Sequence, residues 1–248
     1  MRSLKVLGVS SLLIVATAVV GCAFGNTAPV TVPAKFVLDY QGTGSAAVAV
    51  RDQRADVLSG DRKETLVGHQ RSLYGIPYPV ATSSGKLFAT ELADAIVRGL
   101  KAKGAAAVAV AASPFKPEDK AIDALVATGS DRLLLFSVVE WDEDTYSSMT
   151  LHYDIRLSVL DKKGDLLGQT AVAGEDDIKN SARAERRNIG VAFLDIISTL
   201  LRAKPIVAAL RPDAAPTKTC TVEQILKMQE SGLSRSQIEA ACGTGGGR

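Results

Sequence analysis

Histidine is almost missing from this chain: His69 and His152 are its two copies in 248 residues. Neither has a second histidine or a cysteine at ligand spacing, so no local zinc motif can be built. Neither stands in a recognisable nucleophile–base set, although distance in sequence does not forbid a triad. Cysteine is scarce as well, with Cys22, Cys220 and Cys242 far too few for a disulfide-dense scaffold. Trp141 is the one tryptophan, and aromatic residues make up 5% of the chain, so a stacking platform for bases or sugars is not evident. An excess of one charge is missing too: 29 basic residues face 27 acidic ones. The chain also has no internal repeat and no apolar run of the about 20 residues that a membrane helix needs.

What is present begins at the amino terminus. Arg2 and Lys5 precede an apolar stretch from Val6 to Val20, followed by Gly21 and Cys22. A short basic region, a brief apolar core and small residues describe a secretory signal peptide over 1–21. Val19, Val20, Gly21 and Cys22 resemble the bacterial lipobox. That resemblance implies cleavage before Cys22 and acylation of its thiol and new amino terminus. Several acyl chains anchor durably, because each buried methylene contributes about 0.8 kcal/mol. An ordinary secreted protein cut nearby, or an uncleaved anchor, is the rival reading. Ala23 after the cysteine implies the outer membrane, with the chain facing the periplasm. Without Arg2 and Lys5 the mature chain holds 27 residues of each sign. Nucleic acid is therefore not an expected partner.

With Cys22 carrying lipid, Cys220 and Cys242 form an even pair in an oxidising compartment. Between them, Thr221 with Gln224 reads as a capping box, Gly232 as a helix stop, and Ser234 with Gln237 as a second cap. The expectation is a helical hairpin over 220–242 framed by a disulfide, whose closure is worth about 3 kcal/mol in the chain-entropy picture. Residues 22–35, with Pro29 and Pro33, read as a tether. Residues 211–219 read as a linker and 243–248 as a glycine tail.

The stretch 36–210 is one domain's worth of chain. "AAVAV" (46–50) predicts a strand, and 51–84 a long polar loop broken by Pro77 and Pro79. Ser84 would cap a helix carrying Leu87, Phe88, Leu92, Ile96 and Leu100, stopped by Gly104. "AAAVAVA" (105–111) predicts a strand, and Pro117 opens a short helix closed by Gly129. "RLLLFSVVEW" (132–141) is apolar on both faces, as a central strand would be. "TLHYDIRLSVLD" and "LLGQTAVAG" form a strand pair about "DKKGD". A last helix from about Ala182 to Arg202 would turn Ile189, Phe193, Ile196, Ile197 and Leu200 inward. The fold class is α/β (an α+β sandwich), a mixed β-sheet covered by helices on one face, plus the small C-terminal helical hairpin.

Three stretches imitate catalytic motifs. "GTGSAA" (42–47) has a dinucleotide-type glycine spacing, but a strand follows where a helix is required. "SSGK" (83–86) lacks the first glycine and the magnesium-binding hydroxyl of a phosphate loop. "EWDED" (140–144) lacks a calcium-loop spacing and reads as a solvated turn. No catalytic residue, metal or cofactor is expected. Trp141 reads as core packing at a strand end.

"VAVRDQRADVL" (48–58) and "RGLKAKG" (98–104), together with the leader and the later strand pair, resemble the YajG-type bacterial lipoproteins over roughly 30–205. Asp52, Gln53 and Arg54 are the nearest match. The resemblance implies no enzymatic activity, so no catalytic residue carries over. Asp52 and Arg54 form either a strand-end ion pair or a partner-binding site. Element order is also similar to that of accessory lipoproteins of envelope lipid-transport systems. The functional expectation is a non-catalytic scaffold or accessory binding subunit of a cell-envelope complex, with an envelope protein as partner. A lipid or small-molecule carrier is the alternative, and a periplasmic hydrolase comes behind both.

Overall fold

A computed structural model describes residues 26–28, 37–72, 74–145, 149–178, 182–216 and 227–232. Cys22, Cys220, Cys242, the leader and most of the expected helical hairpin lie outside them. Within 227–232, residues 227–230 are helical and Gly232 takes φ +80°, the left-handed stop its position predicts.

The elements run β1 (Asn26–Ala28), β2 (Ser45–Asp52), α1 (Ala55–Ser59), β3 (Leu66–Arg71), β4 (Pro77–Thr82), α2 (Phe88–Ala102), β5 (Ala106–Val110) and α3 (Glu118–Val126). Then follow β6 (Arg132–Thr145), β7 (Met149–Asp161), β8 (Leu166–Ile178), α4 (Ala182–Arg202) and α5 (Lys204–Ala209). All eight strands join one mixed sheet, so the α+β class holds.

β6 organises this sheet. One of its edges pairs antiparallel with β7 along its whole length, and β7 pairs on to β8. Its other edge is shared. The first half pairs parallel with β2, from Ala46↔Arg132 to Asp52↔Val138, and β5 lies beyond β2. The end pairs parallel with β3, from Gly68↔Glu143 to Gln70↔Thr145, and β4 and β1 lie beyond β3. The sheet therefore forks where β2 stops, and a bulge between Val138 and Glu140 falls at the fork.

Side-chain alternation distributes the core. Val48, Val50, Leu134, Phe136 and Val138 face α2, α4 and α5 in the larger cluster. Ala47, Ala49, Leu133 and Leu135 face the other way, onto Ala121 and Leu125 of α3. Helices thus lie on both faces, a difference from the expected one-sided cover. The alanines at alternate positions of β2 explain it, because small side chains let a short helix approach the second face closely.

Other expectations shift for local reasons. The "loop" 51–84 contains α1 and the β3–β4 hairpin. Pro77 and Pro79 sit in β4, whose far side among the described residues is paired with β1 at Val80–Thr82, so the missing N–H groups are tolerated. "EWDED" is no turn but the end of β6, with Trp141 and Glu143 buried on the helix-rich face. α2 starts at Phe88 rather than directly after Ser84, whose hydroxyl contacts Glu91 and accepts the Lys86 N–H in a turn. α5 is a further helix, and Gly168 lets it close on β8: a Cβ there would lie 2.7 Å from the Pro205 carbonyl oxygen.

Candidate partner-binding site

The "RDQR" stretch at the end of β2 leaves the fork with strict alternation, and each residue's direction decides its chemistry. Asp52 and Arg54 turn into the core and are 1% and 2% exposed. Arg54 Nε donates to Asp52 Oδ1 at 2.8 Å, and Nη2 to Oδ2 at 2.6 Å, a bidentate pair. Its Nη1 donates to the Leu66 carbonyl at 2.8 Å, and the guanidinium lies 4.8 Å over the Phe88 ring. One side chain therefore ties β2, β3 and α2 together across the fork. Of the two readings of this pair, the ion pair is what the geometry holds. Direct contact with a partner is corrected, because neither charge reaches solvent.

Trp141 plugs the same region. Its ring lies 5.6 Å from Phe88 of α2 and 6.0 Å from Phe193 of α4, centroid to centroid, in the tilted arrangements that aromatic pairs prefer. Its Nε1–H donates to Glu143 Oε1 at 3.1 Å. Burial pushes the Glu143 carboxyl up to about 7, against the opposing pull of that hydrogen bond.

Arg51 and Gln53 point the other way, into a cleft of about 850 Å³ on the face that α3 covers only in part. Ser137 of β6, Ser158 of β7 and Ala171 and Ala173 of β8 line it, with Asp154 and Arg156 of β7 beside them. Arg51 is 6% exposed, and its Nη1 donates to Glu118 Oε2 at the start of α3 at 2.9 Å. Nη2 donates to the Lys116 carbonyl at 3.0 Å. The buried Nε–H has no hydrogen-bond partner among the described residues. Gln53 Nε2 reaches the Asp52 and Pro114 carbonyls at 3.2 and 3.3 Å. The cleft thus combines the Arg51–Glu118 ion pair, the exposed Arg156 beside Asp154, hydroxyl and amide groups, and small side chains over an open sheet face.

The sequence points to Asp52 and Arg54 as a candidate site and to Gln53 only as part of the family resemblance, and it gives Arg51 no role. The signal was the two-residue period itself, which sends neighbours of core residues to the opposite face. The two histidines come toward the acidic end of β6: His69 Nδ1 lies 3.3 Å from Asp142 Oδ1, and His152 is opposite Asp142 in the β6–β7 register. Among the described residues no group of three or more His, Cys, Asp or Glu is placed to hold a metal ion. Among them, too, no helix is long and apolar enough to cross a membrane.

No protein-family model matches the chain, and no curated protein sequence matches it. Solved structures with a similar chain path include protein XCC0632 from Xanthomonas campestris, at 13% identity and TM-score 0.44, covering 70% of this chain and 92% of that one. PelC from Paraburkholderia phytofirmans, solved as a dodecamer, is similar at 12% identity and TM-score 0.37, covering 69% of this chain and 93% of that one. Lipoprotein GNA1162 from Neisseria meningitidis is similar at 14% identity and TM-score 0.27, covering 63% and 99%. The YajG-type likeness rests on the residues quoted for it.

Proposed function

We propose that this protein is a lipid-anchored accessory subunit of a cell-envelope complex, acting by binding rather than catalysis. In this reading Cys22 carries the lipid, the outer membrane is its location, and Cys220 and Cys242 are bridged. A partner protein lays an extended polar segment into the Arg51–Gln53 cleft. The observation that carries the reading is the contrast between the two faces of the sheet. Beneath α2 and α4, the space is filled by Phe88, Trp141, Phe193, Leu92 and Ile96, all fully buried. A carrier for lipid would need apolar room there. The open volume lies on the other face and is lined by charge, amide and hydroxyl groups, which suit hydrogen bonding to a polypeptide.

The test is co-purification of the lipidated protein from its native envelope, with partners and lipids both identified by mass spectrometry. A reproducible protein partner is expected, lost by at least about tenfold with Arg51→Glu, since that change sets two carboxylates side by side with Glu118. Stoichiometric lipid with no protein partner would favour the carrier instead.

A further inference from the structure

The β3–β4 hairpin presents an apolar tip for which the packing of the fold gives no reason. Tyr74 is 87% exposed, Ile76 54% and Tyr78 45%. The turn beneath them is well built: the Ile76 N–H donates to Ser72 Oγ, the Ser72 N–H to the Ile76 carbonyl, and Gly75 takes φ +78°. From Ser72 to Gly85 the sequence has no charged side chain. Charge begins at the base of the hairpin, where Arg71 Nε donates to Asp144 Oδ1 at 2.8 Å and His69 lies against Asp142. An apolar, aromatic tip above a collar of ion pairs is the profile of a segment that enters a membrane interface, where tyrosine places its ring among acyl chains and its hydroxyl among headgroups.

The register of β1 gives the tip a position. β1 runs parallel to β4, with Asn26↔Val80 and Ala28↔Thr82. It therefore begins at the end of β4 from which Pro79, Tyr78 and Ile76 extend. Cys22 precedes Asn26 by four residues, which span at most about 14 Å in any conformation. Ile76 precedes Val80 by four residues of extended chain, about 13 Å. A lipid on Cys22 would therefore lie within that reach of the end of β1 beside which the tip extends from β4. We propose that the Tyr74–Ile76–Tyr78 tip is a second membrane contact, seated in the lipid interface beside the Cys22 anchor, and that it fixes the orientation of the domain on the bilayer. The inference rests on the Cys22 anchor of the proposed function.

A tryptophan reporter tests it in the full-length lipidated protein, reconstituted into vesicles of phosphatidylethanolamine and phosphatidylglycerol that contain brominated lipid. Tyr74→Trp is the reporter and Val108→Trp, on β5 at the opposite end of the sheet, is the control. Native Trp141 is 1% exposed and gives a constant background. Blue-shifted emission from the Tyr74→Trp protein, quenched by brominated lipid and shielded from iodide, is expected, with the Val108→Trp protein still open to iodide. Vesicle-bound protein whose Tyr74→Trp emission is open to iodide and untouched by brominated lipid overturns the inference and leaves the anchor standing. An intact mass without acylation at Cys22 overturns the anchor, and this arrangement with it, while leaving the cleft reading to its own test.

Discussion

Glu143 carries the sharpest consequence at the scale of a single residue. Its carboxyl ordinarily titrates near 4.5, and burial raises it to about 7 in the folded protein. Across that interval the folded chain keeps a proton that the unfolded chain has lost. Stability is therefore greatest below pH 4.5 as far as this group is concerned, falls as pH rises toward 7, and is level above. The full span is about 3 kcal/mol. Denaturant titrations of the parent and Glu143→Gln between pH 5 and 8 should show the decline in the parent and a flatter profile in the variant. Equal slopes would remove Glu143 from the account. Arg54 allows a second test. Arg54→Met leaves the Asp52 carboxylate buried without its partner and should cost roughly 3–5 kcal/mol. Asp52→Leu with Arg54→Met removes both charges and should recover much of that loss; a double variant as unstable as the single would mean that the bonds to Leu66 and Phe88 dominate. Alternation in "RDQR" was legible in the sequence, yet which of its two faces stays open was not. That depends on how far α3 reaches over β6, and the contacts that set it are distant in sequence.

Elements with a clear period were the easiest to read. The inward stripes of α2 and of β7 (Leu151, Tyr153, Ile155, Leu157 and Val159) match the buried positions, except that Leu87 is exposed and Tyr153 only partly buried. The hairpin of β3 and β4 was hidden by its composition, since two prolines and a polar strand obscure the alternation, and only the edge position makes them compatible. The acidic end of β6 was hidden differently. Its charges read as a turn, whereas the strand continues because Asp142 and Asp144 meet Arg62 and Arg71 while Trp141 and Glu143 are buried between them. Gly68 is where the two wings of the fork depend on a missing side chain. A Cβ there would lie 2.4 Å from the Glu143 carbonyl oxygen and 2.6 Å from its nitrogen, both backbone atoms that cannot swing aside. Gly68→Ala should therefore loosen β3 from β6 and cost about 1–3 kcal/mol, measured as a lowered Tm. An unchanged Tm would mean that β3 does not press on β6 as closely as described.

At the scale of the whole molecule, one sheet separates two tasks. The helix-rich face is filled by large apolar side chains around Trp141, and the buried Asp52–Arg54 pair locks the fork from that side. The opposite face keeps α3 at one end and the Arg51–Gln53 cleft in the open remainder. The apolar hairpin tip extends from β4, which pairs with β1 at Val80–Thr82. In the proposed arrangement, a lipid at Cys22 and the tip seated in the interface would hold the cleft at a fixed position near the membrane and raise the effective concentration of a partner in the same envelope. The most direct measurement is site-specific photo-crosslinking in living cells, with the crosslinker at Ser158 in the cleft and, separately, at Val108 on the far wing of the sheet. Capture of one envelope protein from Ser158, absent from Val108 and lost with Arg51→Glu, is the result the account requires. Adducts to lipid alone from Ser158, or the same protein captured equally from both positions, would contradict it.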